Sequence, residues 1–522
     1  MPVTAPGADS RAADQDQGRI PGWMVAVLGA VGAVAVVLRL AVHSKLWLDE
    51  ALSVNIARLP LAEIPGALRR DGHPPLYYVV LHVWMMVFGD SDHVVRSLSA
   101  VFAALTVPLV WVVARRVGGW RAAAGATALF LVSPFSVRYS TETRMYSLVM
   151  FLVVAGWVVL DGALREPRGL RGSRWRLVAT ALITGALVLT QYWCLYLVAV
   201  VFAALAWRWR RTADRAAFGV LVAVAIGCLA FVPWLGSFLH QAAHTGTPWG
   251  KPSRPTVVVS DTLVDMGGIG PEGVVTGLLL AIAFVLGLFG RAVDATTISL
   301  DLRTNGQVRG PALVALVTLA VGMVAGVASR STYASRYAAV VVPVLLVVAA
   351  VGLTRFVSTR VWTVALAVVV LASIVGAAEV TVKDRTQAGA WIAALNASAQ
   401  PGDVVVFCPD QLGPAGTRRL SPSLTALAYP TLGDPRFVDW TDYADRNAVA
   451  DPTAIAADVV ARTPRTASIW VVWSPAYRTF GHQCEEFTSA IGAVRPDQVP
   501  VVEDDGALYT EHGWLVQFAP AP

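Results

Sequence analysis

Long apolar segments separated by short polar ones run through most of the chain, from about residue 23 to residue 379. A helix needs about 20 apolar residues to cross the hydrocarbon core of a bilayer. Segments that approach this length predict about eleven spans, at 23–42, 93–113, 121–137, 146–163, 177–190, 192–207, 217–236, 273–290, 311–328, 338–354 and 361–379. The pattern therefore predicts an α-helical polytopic membrane protein.

Two apolar segments near the N-terminus need separate interpretation. The first span lacks a small-residue cleavage site and is long for the core of a signal peptide, so we expect a retained anchor. The polar residues before it, 1–22, are predicted to be a disordered cytoplasmic tail. The stretch 76–88 contains His82 and is too short to cross, which predicts an interfacial or re-entrant helix.

The last part of the chain, 381–522, has a different pattern of hydrophobic residues. Alternating runs rich in β-branched residues occur at 403–407 and 468–473. Helix-like stretches lie between and before these runs, at 384–397 and 451–462. This order of elements is typical of a small α/β domain.

Composition agrees with the membrane prediction and limits the alternatives. The chain is 56% hydrophobic and 15% charged, with more apolar residues than one water-soluble core needs. Its net charge of +6 comes from arginines in short loops, which indicates membrane topology and gives no sign of nucleic-acid binding. Of the four cysteines only Cys408 and Cys484 could pair, and a disulfide and two buried thiols are both open.

The distribution of arginine predicts the orientation. Arginines cluster in four alternate loops, at 115–121, 165–176, 208–215 and 355–360. The positive-inside rule assigns these loops to the cytoplasm, so we expect a multi-pass plasma-membrane protein with a cytoplasmic N-terminus. The predicted division is a membrane domain at 23–380, with a first external loop at 43–92, and an extracytoplasmic α/β domain at 381–522.

Asp49 and Glu50 form a carboxylate pair a few residues after the first span. Ionisable groups at the membrane edge call for an explanation, because they are costly there. One explanation is structural: Asp49 could cap an interfacial helix and Glu50 could favour its first turn. The other is functional, since a carboxylate at the outer mouth of a helix bundle can act as a general base towards a hydroxyl.

His73 precedes two prolines at the start of the short apolar stretch. Proline is favoured in the first turn of a helix, so Pro74 and Pro75 need no catalytic role. His73 could be an exposed loop residue or could line a pocket.

Two predicted external turns, 138–146 and 330–337, carry arginines that run against the positive-inside bias. A lipid phosphate would account for them, because guanidinium groups bind phosphate oxygens in bidentate fashion. The tyrosines nearby could lie at the headgroup level or stack on a sugar. The structural alternative is that these arginines pair with Glu142 or Asp265, or extend to the interface.

Several motifs occur in a fixed order along the chain. They are the Asp-Glu pair after the first span, His-Pro-Pro-Leu-Tyr-Tyr at 73–78, Arg-Met-Tyr-Ser-Leu at 144–148, and Ser-Arg-Tyr at 335–337 followed by Pro343. Together they resemble the dolichyl- or polyprenyl-phosphate-sugar-dependent GT-C glycosyltransferases, which include protein O-mannosyltransferases and lipid A aminoarabinose transferases. The membrane part carries the resemblance, and 388–392 with 401–406 is similar to the external domain of many bacterial members.

The resemblance implies roles for particular residues. Asp49 matches the catalytic aspartate, which would deprotonate the acceptor hydroxyl in an inverting reaction, and Glu50 would orient the base or the acceptor. Arg144 and Arg336 would hold the lipid phosphate. The remaining candidates would line the pocket, and they are His73, Arg138, Tyr139, Tyr146 and Tyr337. No His/Cys cluster has the spacing of metal ligands, so no metal is assigned, and a divalent cation has no support in the sequence.

The resemblance also implies the substrates. The donor would be a polyprenyl-phosphate-linked sugar, with mannose first by analogy and a pentose such as arabinose second. The acceptor, whether a protein, a glycan or a glycolipid, is open. A transporter or flippase of lipid-linked sugar is the main alternative, although no internal repeat with broken helices is evident. A receptor or assembly factor would leave Asp49 and the outward arginines without a role.

Overall fold

The computed structural model describes residues 20–165, 174–248, 250, 254–303, 305–475 and 477–521. Most of the predicted tail at 1–22 and part of the arginine-rich loop 165–176 lie outside these residues. The chain divides into two compact units. The first unit is Met1–Val42, Arg96–Trp234 and Pro252–Val382, and the second is His43–Val95, Leu235–Lys251 and Lys383–Pro522, each in its described parts.

Helices make up most of the described chain. As far as residue 382 the α-helices are α1 (Gly22–Leu40), α2 (Leu48–Ala57), α3 (Ile64–Asp71), α4 (Leu76–Phe88), α5 (Asp92–Val132), α6 (Pro134–Ser140), α7 (Tyr146–Leu164), α8 (Arg174–Val188), α9 (Trp193–Thr212), α10 (Arg215–Cys228), α11 (Leu235–His244), α12 (Pro255–Gly267), α13 (Gly270–Phe289), α14 (Gly306–Ala328), α15 (Val342–Leu353) and α16 (Thr359–Val382). Two 3₁₀ helices, Leu229–Trp234 and Ser335–Val340, and a hairpin of β1 (Gly290–Ala292) with β2 (Ile298–Leu300) complete this part.

Eight helices of the described chain are long and apolar enough to cross a membrane. One of them, α5, includes the predicted span at 93–113 and most of the one at 121–137. Gly118 and Gly119 interrupt its helical backbone between the two, and Gly119 has φ 73°, a conformation that favours glycine. Two further predicted spans fall on α8 and α15, which have 15 and 12 residues. The polytopic helical fold is therefore confirmed, and the count of eleven spans stays a prediction.

Every residue of the short helix α15 is buried. A Cβ added at Gly352 would lie 1.8 Å from the carbonyl oxygen of Ala283 on α13, and one at Gly287 would lie 2.2 Å from that of Val348. The backbones of α13 and α15 thus touch where they cross. Small residues allow such close helix contacts in membrane proteins, where packing is the main attraction between helices.

The second unit contains a five-stranded sheet. After α17 (Ala388–Ser398) its elements are β3 (Val404–Cys408), α18 (Gly413–Gly416), β4 (Thr425–Ala428), α19 (Tyr443–Ala448), α20 (Pro452–Arg462), β5 (Ile469–Trp473), α21 (Gln483–Val494), β6 (Gln498–Val502) and β7 (Trp514–Phe518). The strand order is β4-β3-β5-β7-β6, with β3 parallel to β4 and β5 and the other pairs antiparallel. Both predicted β-branched runs are central strands, which explains their apolar character.

Cys408 at the end of β3 forms a disulfide with Cys484 on α21, with a Cα–Cα distance of 5.6 Å. Of the two alternatives left open by the sequence, the structure therefore has the disulfide. The bond joins β3, an inner strand of the sheet, to α21, and its two cysteines are 76 positions apart in the sequence.

The first loop and the C-terminal segment form this second unit together with 235–251. Asn55 of α2 donates to the carbonyl oxygen of Arg436 at 2.9 Å, and the amide of Trp440 donates to that of Arg70 at 3.0 Å. Gln241 of α11 donates to the carbonyl oxygen of Leu68 at 2.8 Å. These bonds connect the first loop, 235–251 and the C-terminal segment within the second unit.

Candidate active site

The carboxylates Asp49 and Glu50 lie in the first turn of α2. The residue before this helix, Trp47, is extended with φ −83° and ψ 175° and gives no side-chain cap. Asp49 is therefore the second helical residue and does not take the capping position that the structural explanation required. Negative charge is favourable in the first turn of a helix, because the backbone amides there carry partial positive charge.

The two carboxylates have different surroundings. Glu50 is fully buried, and one of its oxygens lies 3.6 Å from a guanidinium nitrogen of Arg385. Asp49 is only half-buried, and its carbonyl oxygen accepts from the hydroxyl of Ser53 at 2.7 Å. Glu50 is thus fixed by an ion pair, while Asp49 is the more accessible of the two.

Glu511, in the segment between β6 and β7, is a residue that the sequence analysis missed. Its Oε2 accepts from the backbone amide of Leu48, the first residue of α2, at 3.0 Å. Burial, and then the neighbouring charges of Asp49 and Glu50, raise the pKa of the Glu511 carboxyl to about 8. No local motif marks Glu511, because its contact with α2 exists only in the folded chain.

His73 lies in the turn between α3 and α4. Its Nδ1 is 2.9 Å from Oδ2 of Asp71, and the Tyr78 hydroxyl donates to the same oxygen at 2.9 Å. Gly72 between them has φ 92°, which ends α3 and turns the chain. His73 is about one-quarter exposed, so it is held by a carboxylate and still reaches the surface of the unit.

In the first unit, the predicted turn at 138–146 joins α6 to α7. Arg144, Tyr139 and Tyr146 are almost fully buried, and the two tyrosine rings meet edge to face with their centroids 4.9 Å apart. Arg39 of α1 fixes the preceding helix by donating to the hydroxyl of Ser140 at 2.7 Å. A buried arginine in such a turn needs negative partners, either from the protein or from a ligand.

The helix α12 connects the two arginine-bearing turns. Asp265 on α12 accepts from the hydroxyl of Tyr139 at 3.0 Å and lies 3.7 Å from a guanidinium nitrogen of Arg138. One helical turn earlier, Thr262 shares a hydrogen bond of 2.6 Å with the hydroxyl of Tyr333. The turns at 138–146 and 330–337 are therefore brought together on one face of one helix.

This arrangement places positive charges near one another. Burial alone would lower the pKa of Arg138, but Tyr139, Asp265 and Glu142 raise it above its ordinary value, and the charge of Arg336 acts against them. Arg138 and Arg336 thus influence each other across the two turns. Pairing with Asp265, the structural alternative for these arginines, does occur for Arg138.

The second turn is held by Trp193, the first residue of α9, which the sequence analysis also missed. The Tyr337 ring stacks on the Trp193 ring at 5.6 Å and 24°, and the guanidinium carbon of Arg336 lies 5.9 Å from the Tyr337 centroid. A Cβ at Gly322 of α14 would lie 2.4 Å from the Trp193 ring. Trp193 is therefore packed between α14 and the turn that carries Arg336.

The candidate residues fall into two groups. Arg138, Tyr139, Arg144, Tyr146, Arg336 and Tyr337 belong to the first unit, whereas Asp49, Glu50 and His73 belong to the second. Within the described residues, no group of three or more His, Cys, Asp or Glu side chains is arranged to hold a metal ion.

Comparison with known proteins bears on the family and the fold. Residues 72–236 match the sequence profile of the family described as dolichyl-phosphate-mannose-protein mannosyltransferase. No curated protein sequence matches the chain.

Several solved structures are similar to this chain. ArnT from Cupriavidus metallidurans in the apo state has 15% identity and a TM-score of 0.64, over 96% of this chain and 99% of that one. The same enzyme bound to undecaprenyl phosphate has 16% identity and a TM-score of 0.59, over the same shares of 96% and 99%. The oligosaccharyltransferase AglB from Archaeoglobus fulgidus, in complex with an inhibitory peptide and a dolichol-phosphate, has 14% identity and a TM-score of 0.51, over 90% of this chain and 72% of that one.

At these identities the structures establish the fold, and the family profile adds an independent match to the segment that includes His73 and the turn at 138–146. The resemblance to GT-C glycosyltransferases that the sequence motifs predict is therefore confirmed, and the chain has an ArnT-like fold.

Proposed function

We propose that this protein is an inverting glycosyltransferase that moves a sugar, with mannose as the first candidate, from a polyprenyl-phosphate donor to an acceptor hydroxyl on the extracytoplasmic side of the plasma membrane. The observation that carries the proposal is the convergence of two arginine-bearing turns on α12. Tyr139 and Tyr333, one from each turn, bond to Asp265 and Thr262 of that helix. The grouped cations favour a ligand that carries negative charge.

The leaving group of the proposed reaction has that charge. When the bond between the anomeric carbon and the phosphate oxygen breaks, the polyprenyl phosphate keeps the electron pair and negative charge grows on its oxygens. Arg144 and Arg336 would stabilise this charge, with Arg138, Tyr139, Tyr146 and Tyr337 lining the donor site. Preorganised cations of this kind lower the barrier because they are oriented before the charge develops.

Asp49 would act on the acceptor. Its carboxylate would take the hydroxyl proton as the acceptor oxygen forms its bond to the anomeric carbon, on the face opposite the departing phosphate, so the configuration inverts. A general base typically contributes about 100- to 10,000-fold to the rate. Glu50, held by Arg385, would fix the start of α2, and His73 would line the acceptor side.

Other observations support the finer assignments. The family profile matched by 72–236 favours mannose as the donor sugar, and the ArnT structure with undecaprenyl phosphate favours a polyprenyl carrier. The Cys408–Cys484 disulfide favours an extracytoplasmic location of the sheet, because structural disulfides form in oxidising compartments.

The test is sugar transfer in membranes that contain equal amounts of wild type, Asp49→Asn or the control Asp458→Asn. Asp458 is a surface residue of α20 that pairs with Arg462, so the control makes the same chemical change away from α2. With radiolabelled polyprenyl-phosphate mannose as donor, we expect wild type and Asp458→Asn to transfer alike and Asp49→Asn to lose at least about 100-fold.

Two outcomes would contradict the proposal. Equal transfer by Asp49→Asn and wild type would remove Asp49 as the base. No transfer with mannose or arabinose donors, together with movement of the labelled lipid across proteoliposome membranes, would instead identify a transporter of lipid-linked sugar.

A further inference from the structure

The position of Glu511 is set by its backbone. Its amide donates to the carbonyl oxygen of Arg385 at 2.9 Å, and its carbonyl oxygen accepts from the amide of Gln387 at 2.8 Å. Thr386 between them forms a parallel bridge with Glu511. These backbone bonds fix the Cα position of Glu511 next to Arg385, the residue that pairs with Glu50.

The Glu511 side chain caps the N-terminus of α2. The first amides of a helix have no partner within the helix, and a capping side chain normally accepts from one of them. Trp47, at the capping position, gives no side-chain bond. Glu511 accepts from the amide of Leu48 instead, at 3.0 Å and from 463 positions away.

Burial makes this contact specific. Glu511 is 3% exposed, and among the described residues its Oε1 has no hydrogen-bond partner. Its titratable neighbours are Asp49 and Glu50 of α2 and the hydroxyl of Tyr477 after β5, and the Thr386 hydroxyl donates to its carboxyl group. Arg385, whose carbonyl oxygen accepts from the Glu511 amide, pairs through its guanidinium group with Glu50.

The charge balance favours a neutral Glu511. With its pKa near 8, the carboxyl is protonated at neutral pH and accepts from Leu48 without adding a third negative charge. Ionisation at higher pH would place that charge beside Asp49 and Glu50. Like charges repel strongly in a buried site, so the start of α2 would be less stable in the ionised form.

We propose that Glu511 is a positioning residue for Asp49. Glu511 holds the first turn of α2 so that Asp49, as the base, faces the acceptor. The inference rests on the proposed function in one respect, the role of Asp49 as the base. It assigns to the segment between β6 and β7 a direct part in forming the active site.

Three variants test the role of Glu511. Glu511→Gln keeps an oxygen that can accept from Leu48 and cannot ionise, whereas Glu511→Ala removes the contact. Glu503→Gln is the matched control, because Glu503 is exposed and lies in the same segment. Transfer is measured from pH 6 to about pH 9.5, with kcat and the KM for the donor determined separately.

We expect Glu511→Ala to lower kcat by about 10- to 100-fold with little change in donor KM, because a misplaced base slows chemistry without affecting donor binding. Wild type and Glu503→Gln should lose activity with a midpoint near pH 8, and Glu511→Gln should not show this loss. Wild-type kcat in Glu511→Ala, or the same alkaline loss in Glu511→Gln as in wild type, would overturn the proposal. If Glu511→Ala does not fold, the pH profile of Glu511→Gln decides alone.

Hydrogen exchange separates this proposal from the proposed function. In Glu511→Ala the amides of α2 should exchange faster than in wild type, while those of α20 should not change. Unchanged exchange in α2 would refute the capping contact, whatever the activity. Inactive Asp49→Asn combined with wild-type behaviour of both Glu511 variants would leave the proposed function intact and remove only the positioning role.

Discussion

The bond between Tyr139 and Asp265 allows a quantitative test of the proposed donor site. Tyr139→Phe removes a hydroxyl that donates to a carboxylate at 3.0 Å in a largely buried position. A hydrogen bond to a charged group contributes about 1.5–3 kcal/mol, and a tenfold change in affinity corresponds to about 1.4 kcal/mol. If the bond holds the turn that binds the phosphate, donor affinity should fall by about 10- to 100-fold.

We expect a smaller effect from a second variant, one helical turn earlier on α12. Tyr333→Phe removes the bond of 2.6 Å to Thr262, in which both partners are neutral. Such bonds contribute about 0.5–1.5 kcal/mol, so donor affinity should fall by about 2- to 10-fold. The control is Tyr192→Phe, which removes a hydroxyl that accepts from Trp234 at 2.9 Å in the same unit.

The assay is equilibrium binding of a fluorescent polyprenyl-phosphate sugar to purified protein in lipid nanodiscs, with folding checked by thermal unfolding. We expect the dissociation constant to be highest for Tyr139→Phe and lower for Tyr333→Phe. That of Tyr192→Phe should equal the wild-type value. A dissociation constant for Tyr139→Phe within twofold of wild type would refute the reasoning, because α12 would then not determine the geometry of the donor site.

Three further predictions concern stability and packing. Cys408→Ser opens a disulfide between residues 76 positions apart, and loop entropy predicts a loss of up to about 4.5 kcal/mol, measurable as a lower denaturant midpoint of the second unit. Gly322→Ala should raise the donor KM, measured by transfer, because its Cβ would lie 2.4 Å from the Trp193 ring behind Tyr337. Between pH 4.5 and about 8, Glu511 keeps a proton in the folded protein that it releases in the unfolded chain. The stability of wild type relative to Glu511→Gln should therefore fall as the pH rises through this range. Thermal unfolding of both proteins at pH 5, 7 and 9 measures the sign of this change.

Elements with a strong local pattern could be predicted from the sequence. The short apolar helix has the predicted bounds, Leu76–Phe88, because two prolines precede it and Gly89 ends it. Strand β5 falls within the predicted run at 468–473, because its β-branched and aromatic residues fill the middle of a sheet. These features depend on residues close together in the chain.

The less predictable features depend on distant residues. Trp193 and Tyr337 each look like ordinary aromatic residues at a membrane boundary, and only the fold stacks them at 5.6 Å. The connection of Tyr139 to Asp265, and the contact of Glu511 with Leu48, have no local pattern either. The motif order predicted the resemblance to GT-C glycosyltransferases, but it could not predict which side chains stabilise the motif residues.

The segments 43–95 and 383–522 share hydrogen bonds through Asn55, Arg70 and Leu48. A chimaera that takes only 383–522 from a related enzyme would lose these partners and leave backbone groups of the loop buried without hydrogen bonds. One that exchanges 43–95, 235–251 and 383–522 together would keep them. Acceptor specificity, if it resides in this unit, should therefore transfer between enzymes only when all three segments move as one module.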